Sequence, residues 1–495
     1  MSQSSTSRPS LAQLATRSVL WTGFSQYFFF ALGIIKTIFL YRLIGAEYAG
    51  LVAGAAVWAS YFSVCRFELR VPVFNSNEEE LVLNTQFWLE NFTAFIGLVV
   101  AIVSMWLMPN LTTPAAWAII FVLLGLNLFE TLTSTARYIV EKRLRQDIIG
   151  RLTLFTSVIG FLIPVGLAIS GAPLAALTME LVLPSLVVGA GAVLFTRWMP
   201  TPNFDRAELW RQFKVGWTLW TSSLLGKITF QFDDWLVFNI NRPNPIAWLG
   251  SGIRAEGFYS RAYNAGKMPM DVVAGMIGSV ALSLYAESAA RGRETLIAAY
   301  KQLTWLLVWI ICVSSAIAFV ATDEVILILF GEAWLPMSPL FRLMFFFIVG
   351  RPLFQNNAQL LLALRAEKDF RWAMLAQAIF ILVACPPAVY LWGAAGASVV
   401  VSIMSLIGLI ATEWYVAKHL ETSVWQLYLV PVLTSLLLSI VLLSVTPLIT
   451  SNIWLAASFK GIICAIVFGI VLLIFERSNL INSIQIVRQG LKRSP

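Results

Sequence analysis

Much of what soluble enzymes and secreted modules rely on is scarce in this chain. Of 495 residues only four are cysteine (Cys65, Cys312, Cys385, Cys464), with neither paired nor metal-ligand spacing, so all four read as small buried hydrophobes. A single histidine, His419, sits in a short loop and excludes a histidine-based metal centre or catalytic triad. Charged residues are only 12% of the chain, and no loop exceeds about 30 residues, which leaves no room for an extramembrane domain of ordinary size. No catalytic or metal-ligating set is expected.

What is present is apolar. The hydrophobic fraction is 59% and the mean hydropathy +0.79, far from soluble composition. A bilayer core of about 30 Å takes about 20 apolar helical residues to cross, because backbone in lipid must satisfy its own hydrogen bonds. Stretches of that length recur at 18–41, 48–65, 87–108, 115–136, 152–170, 174–196, 215–240, 268–287, 302–321, 338–363, 372–392, 395–417, 427–447 and 454–475. The fold class is therefore an all-α polytopic membrane protein with fourteen transmembrane helices.

Basic residues collect in every second gap. With the N-terminus in the cytoplasm, most of the 34 Lys and Arg lie inside, and Arg42, Arg242, Arg254, Arg261 and Lys267 fall outside. Both termini are thus placed in the cytoplasm, and the net charge of +8 reads as topology charge, with no nucleic-acid partner. The first apolar run is too long and poorly bounded for a cleaved signal peptide and stays as the first helix.

Spans 1 and 7 share a plan. Trp21-Thr22 opens one and Trp220-Thr221 the other, and each runs into an outer turn with two glycines, Gly45 and Gly50 in one copy, Gly252 and Gly257 in the other. The second copy carries an insertion within 241–249. Copies offset by six spans keep the same orientation and are related by an axis along the membrane normal. The expected organisation is a cytoplasmic tail (1–17), two six-helix lobes (18–200 and 201–420), two further helices (421–476) and a basic tail (477–495).

Three motifs carry a family resemblance. Gly257-Phe258-Tyr259-Ser260-Arg261-Ala262-Tyr263-Asn264, continuing to Lys267-Met268-Pro269, resembles the G-Y-Y-S-R-A-Y stretch of bacterial polysaccharide-unit flippases. Leu329-Phe330-Gly331-Glu332-Ala333-Trp334-Leu335-Pro336 resembles their L-x-G-x-x-W-x-P turn, and Tyr41-Arg42-Leu43-Ile44-Gly45-Ala46-Glu47-Tyr48-Ala49-Gly50 their A-R-x-L-G-x-x-x-x-G turn. Arg365 to Lys368 departs from the Gly-Arg pair more common there.

The resemblance to this Wzx-type branch of the multidrug/oligosaccharidyl-lipid/polysaccharide (MOP) superfamily implies a flippase of the inner membrane. Its implied cargo is an undecaprenyl-diphosphate-linked oligosaccharide, an O-antigen or exopolysaccharide repeat unit, moved by alternating access as two lobes rock around a cavity. It implies no enzyme activity and no cofactor, drive from a proton or sodium gradient, and, as partners, membrane lipids, a polysaccharide polymerase and glycosyltransferases. A lipid II flippase and a multidrug/cation antiporter of the same superfamily remain alternatives. A membrane glycosyltransferase or polymerase usually needs a sizeable catalytic loop, which is missing here.

A charged lipid headgroup directs attention to basic residues at membrane depth, which are costly and functional by default. Lys227 is the deepest, about 13 residues or 20 Å from either end of span 7; it either faces the substrate or neutralises a carboxylate. Arg351, next to Pro352 in span 10, either binds substrate or caps a kink. Lys36 in span 1 either snorkels or binds. Arg342, half a turn from Arg351, is expected to snorkel outward, and Lys460 to anchor span 14 at the interface. Arg254 and Arg261 form an outer cationic rim that either guides the substrate or pairs with Glu256 and Asp271.

Ion coupling is sought at Asp233 and Asp234 in span 7, with Glu130 as the next candidate. Asp234, seven residues from Lys227, shares nearly its face. Glu180 is expected to be isolated in the membrane, and Glu413 to be a solvated end residue.

Overall fold

The computed structural model describes residues 28, 30–61, 65–76, 79–105, 113–143, 145–203, 205–240, 252–422, 424–445 and 452–477. Trp21-Thr22, the insertion at 241–249 and both tails lie outside them. Every regular element among the described residues is helical.

In chain order these are α1 (30–43), α2 (Ala46–Tyr61), α3 (Arg70–Asn75), α4 (Glu80–Met105), α5 (Pro114–Lys142), α6 (Gln146–Ile169), α7 (Pro173–Thr196) and α8 (Arg206–Asn239). They continue as α9 (Ile253–Arg291), α10 (Arg293–Val320), α11 (Thr322–Leu329), a 3-10 turn (Glu332–Met337), α12 (Ser338–Leu343), α13 (Phe345–Ala363), α14 (Glu367–Leu420), α15 (Trp425–Val445) and α16 (Ile453–Phe475). A helix stands at each of the fourteen apolar stretches read from sequence. Among the described residues, eight helices are by themselves long and apolar enough to span a bilayer, nine with α12 and α13 joined across their 55° bend. The protein is a multi-pass membrane protein.

Local chemistry sets the boundaries. Thr113 caps α5 by accepting from the Ala116 N–H, with Pro114 at the first helical position where its missing N–H costs nothing. Asn452 caps α16 through the N–H groups of Trp454 and Leu455. α14, at 54 residues, is about twice the length one crossing requires. It breaks at Gly393 (φ 59°, ψ −140°), a backbone that favours glycine, and a Cβ on Gly396 would lie 2.1 Å from the Ala388 carbonyl oxygen. Glycine thus allows spans 11 and 12 to follow one another without a loop.

Two compact units divide the chain between Lys227 and Ile228, inside α8. The expected lobe boundary at 200 lies upstream of this, and the expected separate pair of helices, α15 and α16, packs onto α10 within the second unit. In the first unit, α5 packs with α2, α4 and α7, and α6 with α7. In the second, α13 lies between α9, α10 and α14.

Gly45 and Gly252 each stand at the head of a helix. The Ala49 N–H donates to the Gly45 carbonyl at the head of α2, and the Glu256 N–H donates to the Gly252 carbonyl at the head of α9. Residues expected in an outer loop up to 267 are helical from 253 onward, so the motif Gly257 to Asn264 forms the start of α9. Two of the three motifs meet: Trp334, fully buried, packs edge-on against Phe258 at 5.8 Å.

Candidate functional site

In the first unit the deep cation of α8 has a defined seat. The Lys227 Nζ donates to the Ser60 carbonyl oxygen at 3.1 Å, in the last turn of α2, where helix carbonyls carry partial negative charge. Glu68, Arg66 and Cys65 lie within its electrostatic reach. Arg66 is fixed by the fully buried Glu90 of α4, its Nε 2.9 Å from Oε1. Gln86 donates to the other carboxylate oxygen, and Thr135 of α5 donates to Gln86 at 2.7 Å. This chain of donors leaves Arg66 with a satisfied partner and a fixed position beside Lys227.

Lys36 does not snorkel. Its ammonium is 2.9 Å from Glu180 of α7, and the Tyr41 hydroxyl donates to the second Glu180 oxygen at 3.1 Å. Glu180 is therefore not isolated, and a cation already matched to a carboxylate is the better satisfied at depth. Glu130, half-buried on α5, joins neither group.

The second unit gathers carboxyl groups. Asp233 and Asp234 are buried at the end of α8, and the Tyr259 hydroxyl donates to Asp233. Glu256 of α9 is fully buried, and neither of its oxygens accepts from an N–H or hydroxyl donor. The Asp234 and Asp233 carboxyls lie within electrostatic reach of it. Arg351 lies within electrostatic reach of Asp233, with its guanidinium 3.6 Å from the Phe230 ring centroid. Arg261 is within reach of Glu256, and Arg254 is exposed beside Phe258 at 5.8 Å. The predicted site residues thus sort into two sets. Lys227 and Lys36 belong to the first unit; Asp233, Asp234, Arg351, Arg254 and Arg261 belong to the second.

Other expectations are corrected. Arg342 reaches Asp323 at 2.8 Å, a partly exposed carboxylate that also accepts from Ser338, so its charge is paired. Lys460 is buried and donates to the Val320 carbonyl at 2.9 Å and to Glu324 at 2.6 Å, so it ties α16 to α10 and α11 and is no interfacial anchor. Glu413 is buried and accepts from Tyr300, Tyr428 and Asn357, joining four helices where a solvated end residue was expected. Cys65 is half-exposed, unlike the three buried cysteines.

Sequence reasoning missed Arg66, Glu256 and Tyr259 as members of these groups. Arg66 follows directly on the apolar stretch 48–65, where a basic residue reads as topology charge. Tyr259 and Glu256 stand in or beside a quoted motif, and the shared outer end of spans 7 and 8 was the signal that would have placed them against Asp233 and Asp234.

Comparison with known proteins agrees with this fold. The model of the family described as "Polysaccharide biosynthesis protein" matches residues 39–339. Among solved structures, the chain is similar to a lipid II flippase, MurJ, in an inward closed conformation (TM-score 0.68, 15% identity, 93% of this chain and 100% of that one). It is also similar to an inward-facing multidrug resistance MATE family transporter of the MOP superfamily (TM-score 0.52, 16% identity, 79% and 95%). At these identities the likeness is one of fold. No curated protein sequence gives a significant match. The family match covers more than half of the chain, which therefore belongs to the polysaccharide biosynthesis protein family and shares the fold of these two solved structures.

Proposed function

We propose that this polysaccharide biosynthesis family member is a flippase. It carries an undecaprenyl-diphosphate-linked oligosaccharide, an O-antigen or exopolysaccharide repeat unit, from the inner to the outer leaflet of the bacterial inner membrane by alternating access, with both termini in the cytoplasm. The observation that supports the reading most is Lys227, a cation held at membrane depth by a helix carbonyl, with Arg66 beside it. In a low-dielectric setting the charge of that ammonium acts strongly on a diphosphate.

Drive comes from an ion gradient acting on Asp233, Asp234 and Glu256. A proton shared between two of these carboxyls is released when their environment opens to water, and Arg351 and Tyr259 stabilise the deprotonated form by charge and hydrogen bond. The protein supplies no catalytic group in this scheme. Its partners are the lipid-linked glycan, membrane lipids, and the polymerase and glycosyltransferases that consume and supply that glycan.

A second reading, transport of lipid II, draws on the fold likeness to a lipid II flippase. The two are separated by complementation. Expression in cells lacking their own polysaccharide flippase is expected to restore surface glycan, and expression in cells depleted of their lipid II flippase is expected not to restore growth. The opposite pattern would replace the first reading by the second.

A further inference from the structure

Glu90, Glu180 and Glu324 are each paired with a cation: Arg66, Lys36 and Lys460. Neutralising any of them would strand that cation at depth. Glu413 of α14 is built otherwise. It is buried, and its three donors, the hydroxyls of Tyr300 (3.1 Å) and Tyr428 and the side-chain amide of Asn357 (2.9 Å), are all neutral and all converge on Oε1. Among the described residues no side chain donates to Oε2.

The surroundings satisfy this carboxyl in either charge state. The Tyr300 hydroxyl lies 2.8 Å from Asn357 Oδ1 as well as 3.1 Å from Glu413, and its single proton serves one acceptor at a time. When Glu413 is ionised, its charge draws that proton to Oε1, because a hydrogen bond to a charged acceptor is about twice as strong as one to a neutral acceptor. With a proton on Oε2, Oε1 becomes a carbonyl oxygen with two lone pairs, which Tyr428 and Asn357 fill, and the Tyr300 hydroxyl turns to Asn357 Oδ1. Each of the three donors keeps an acceptor, and no heavy atom has to move. The neighbouring bonds, Asn357 to Thr412, Tyr285 to Asn356 and Asn356 to Thr304, are the same in both states.

Its place in the second unit gives this titration a side. Glu413 is seven residues from the end of α14, Tyr300 seven residues into α10 and Tyr428 in the first turn of α15, so the group lies about 10 Å inside the end where α9 passes to α10 and α14 to α15. Asp233, Asp234 and Glu256 stand at the other end, where α8 stops and α9 starts. α13 carries a residue to each: Arg351 is within electrostatic reach of Asp233, and Asn357, about 9 Å further along the helix, is on Glu413. The titratable groups that face Glu413 are tyrosines, Tyr285 from α9, Tyr300 from α10 and Tyr428 from α15, while α13 presents the amides of Asn356 and Asn357. Lys301 is exposed, and Lys418 and His419, further along α14, lie over Trp414 and against Asp369.

We propose that Glu413 is a second proton-exchange site of the transport cycle, one that opens to the cytoplasm, with Tyr300 as the hydroxyl that turns between Glu413 and Asn357. The assignment rests on the gradient drive and the orientation proposed above. One proton adds to Oε2 and the same proton leaves it; no bond between heavy atoms forms or breaks. Each end of the second unit then reads the proton concentration of its own compartment.

Protonation and transport are read separately on the full-length protein in vesicles. Infrared difference spectra between acidic and alkaline medium are expected to show a titrating carboxylic-acid C=O band that Glu413→Gln removes and Tyr300→Phe shifts. Flipping of an undecaprenyl-diphosphate-linked oligosaccharide is measured with and without an imposed pH gradient. Acceleration by the gradient is expected to vanish in Glu413→Gln, to return in part in Glu413→Asp, and to fall about tenfold in Tyr300→Phe, which loses one hydrogen bond to a charged group. A merely structural Glu413 gives lower thermal unfolding midpoints while the gradient response of the remaining protein is intact. That result, or persistence of the whole titrating band in Glu413→Gln, overturns the assignment and leaves the drive through Asp233, Asp234 and Glu256 standing. A parent protein whose flipping ignores the gradient overturns both.

Discussion

The two units differ in how charge is held along α8. In the first, Glu90 is covered by Arg66 and Gln86, Glu180 by Lys36 and Tyr41, and Lys227 donates to the Ser60 carbonyl. In the second, Asp323, Glu324 and Glu413 are matched as well, but around Asp233, Asp234 and Glu256, buried together, carboxyls outnumber the groups that satisfy them, and Glu256 lacks any N–H or hydroxyl donor. The difference teaches a division of labour that α8 carries along its length. The function proposed above places anion binding in the first half and ion response in the second.

The largest effect is expected from removing the cation. Lys227→Ala should lower glycan export at least about 30-fold with the protein still in the membrane, because a desolvated charge partner is worth about 2 kcal/mol or more. Lys227→Arg should retain part of the activity. Surface glycan measured against membrane protein level checks this, and normal export by the alanine variant would remove Lys227 from the site.

Next come the carboxyls. Asp233→Asn, Asp234→Asn and Glu256→Gln each keep size while abolishing titration, so export should lose its dependence on a pH gradient. The proton is held on the more acidic side and lost on the more alkaline side; flipping in vesicles with and without an imposed gradient reads the effect. Should all three variants respond to the gradient as the parent does, proton coupling through this group is wrong, and sodium or Glu130 is next. Tyr259→Phe should act more weakly, slowing gradient-driven transport about tenfold, in keeping with one hydrogen bond to a charged group.

The smallest effect on transport is expected where charges are matched. Lys36→Ala should cost about 1–3 kcal/mol of stability, less than a fully buried pair, since both side chains keep about a sixth of their exposure. Export per molecule should be unchanged. A thermal unfolding midpoint in detergent, compared with the Lys36→Met/Glu180→Leu double variant, which should recover much of the loss, separates structure from binding.

How much of this was legible in the sequence follows from which forces set each feature. Span positions depend on hydrocarbon thickness and apolar composition, both written locally, and within the described residues helices coincide with the apolar stretches. The break at Gly393 and the capping of α5 by Thr113 are local as well. Partner identity is not local. Lys36 and Glu180 are 144 residues apart, and Lys460 and Glu324 are 136, so single-residue rules defaulted to snorkelling or to isolation. Asp233 and Asp234 were found because adjacent carboxylates at depth are rare. Glu256 and Arg66 were passed over because both lie next to predicted loops, where charge is unremarkable until the packing buries it.

The division of labour is tested most directly by equilibrium binding of undecaprenyl diphosphate to two purified full-length variants, Lys227→Ala and the Asp233→Asn/Asp234→Asn double substitution. The expected result is loss of binding by about 30-fold or more in the first and binding within about twofold of the parent in the second. Undiminished binding by Lys227→Ala, or loss confined to the aspartate variant, would contradict it.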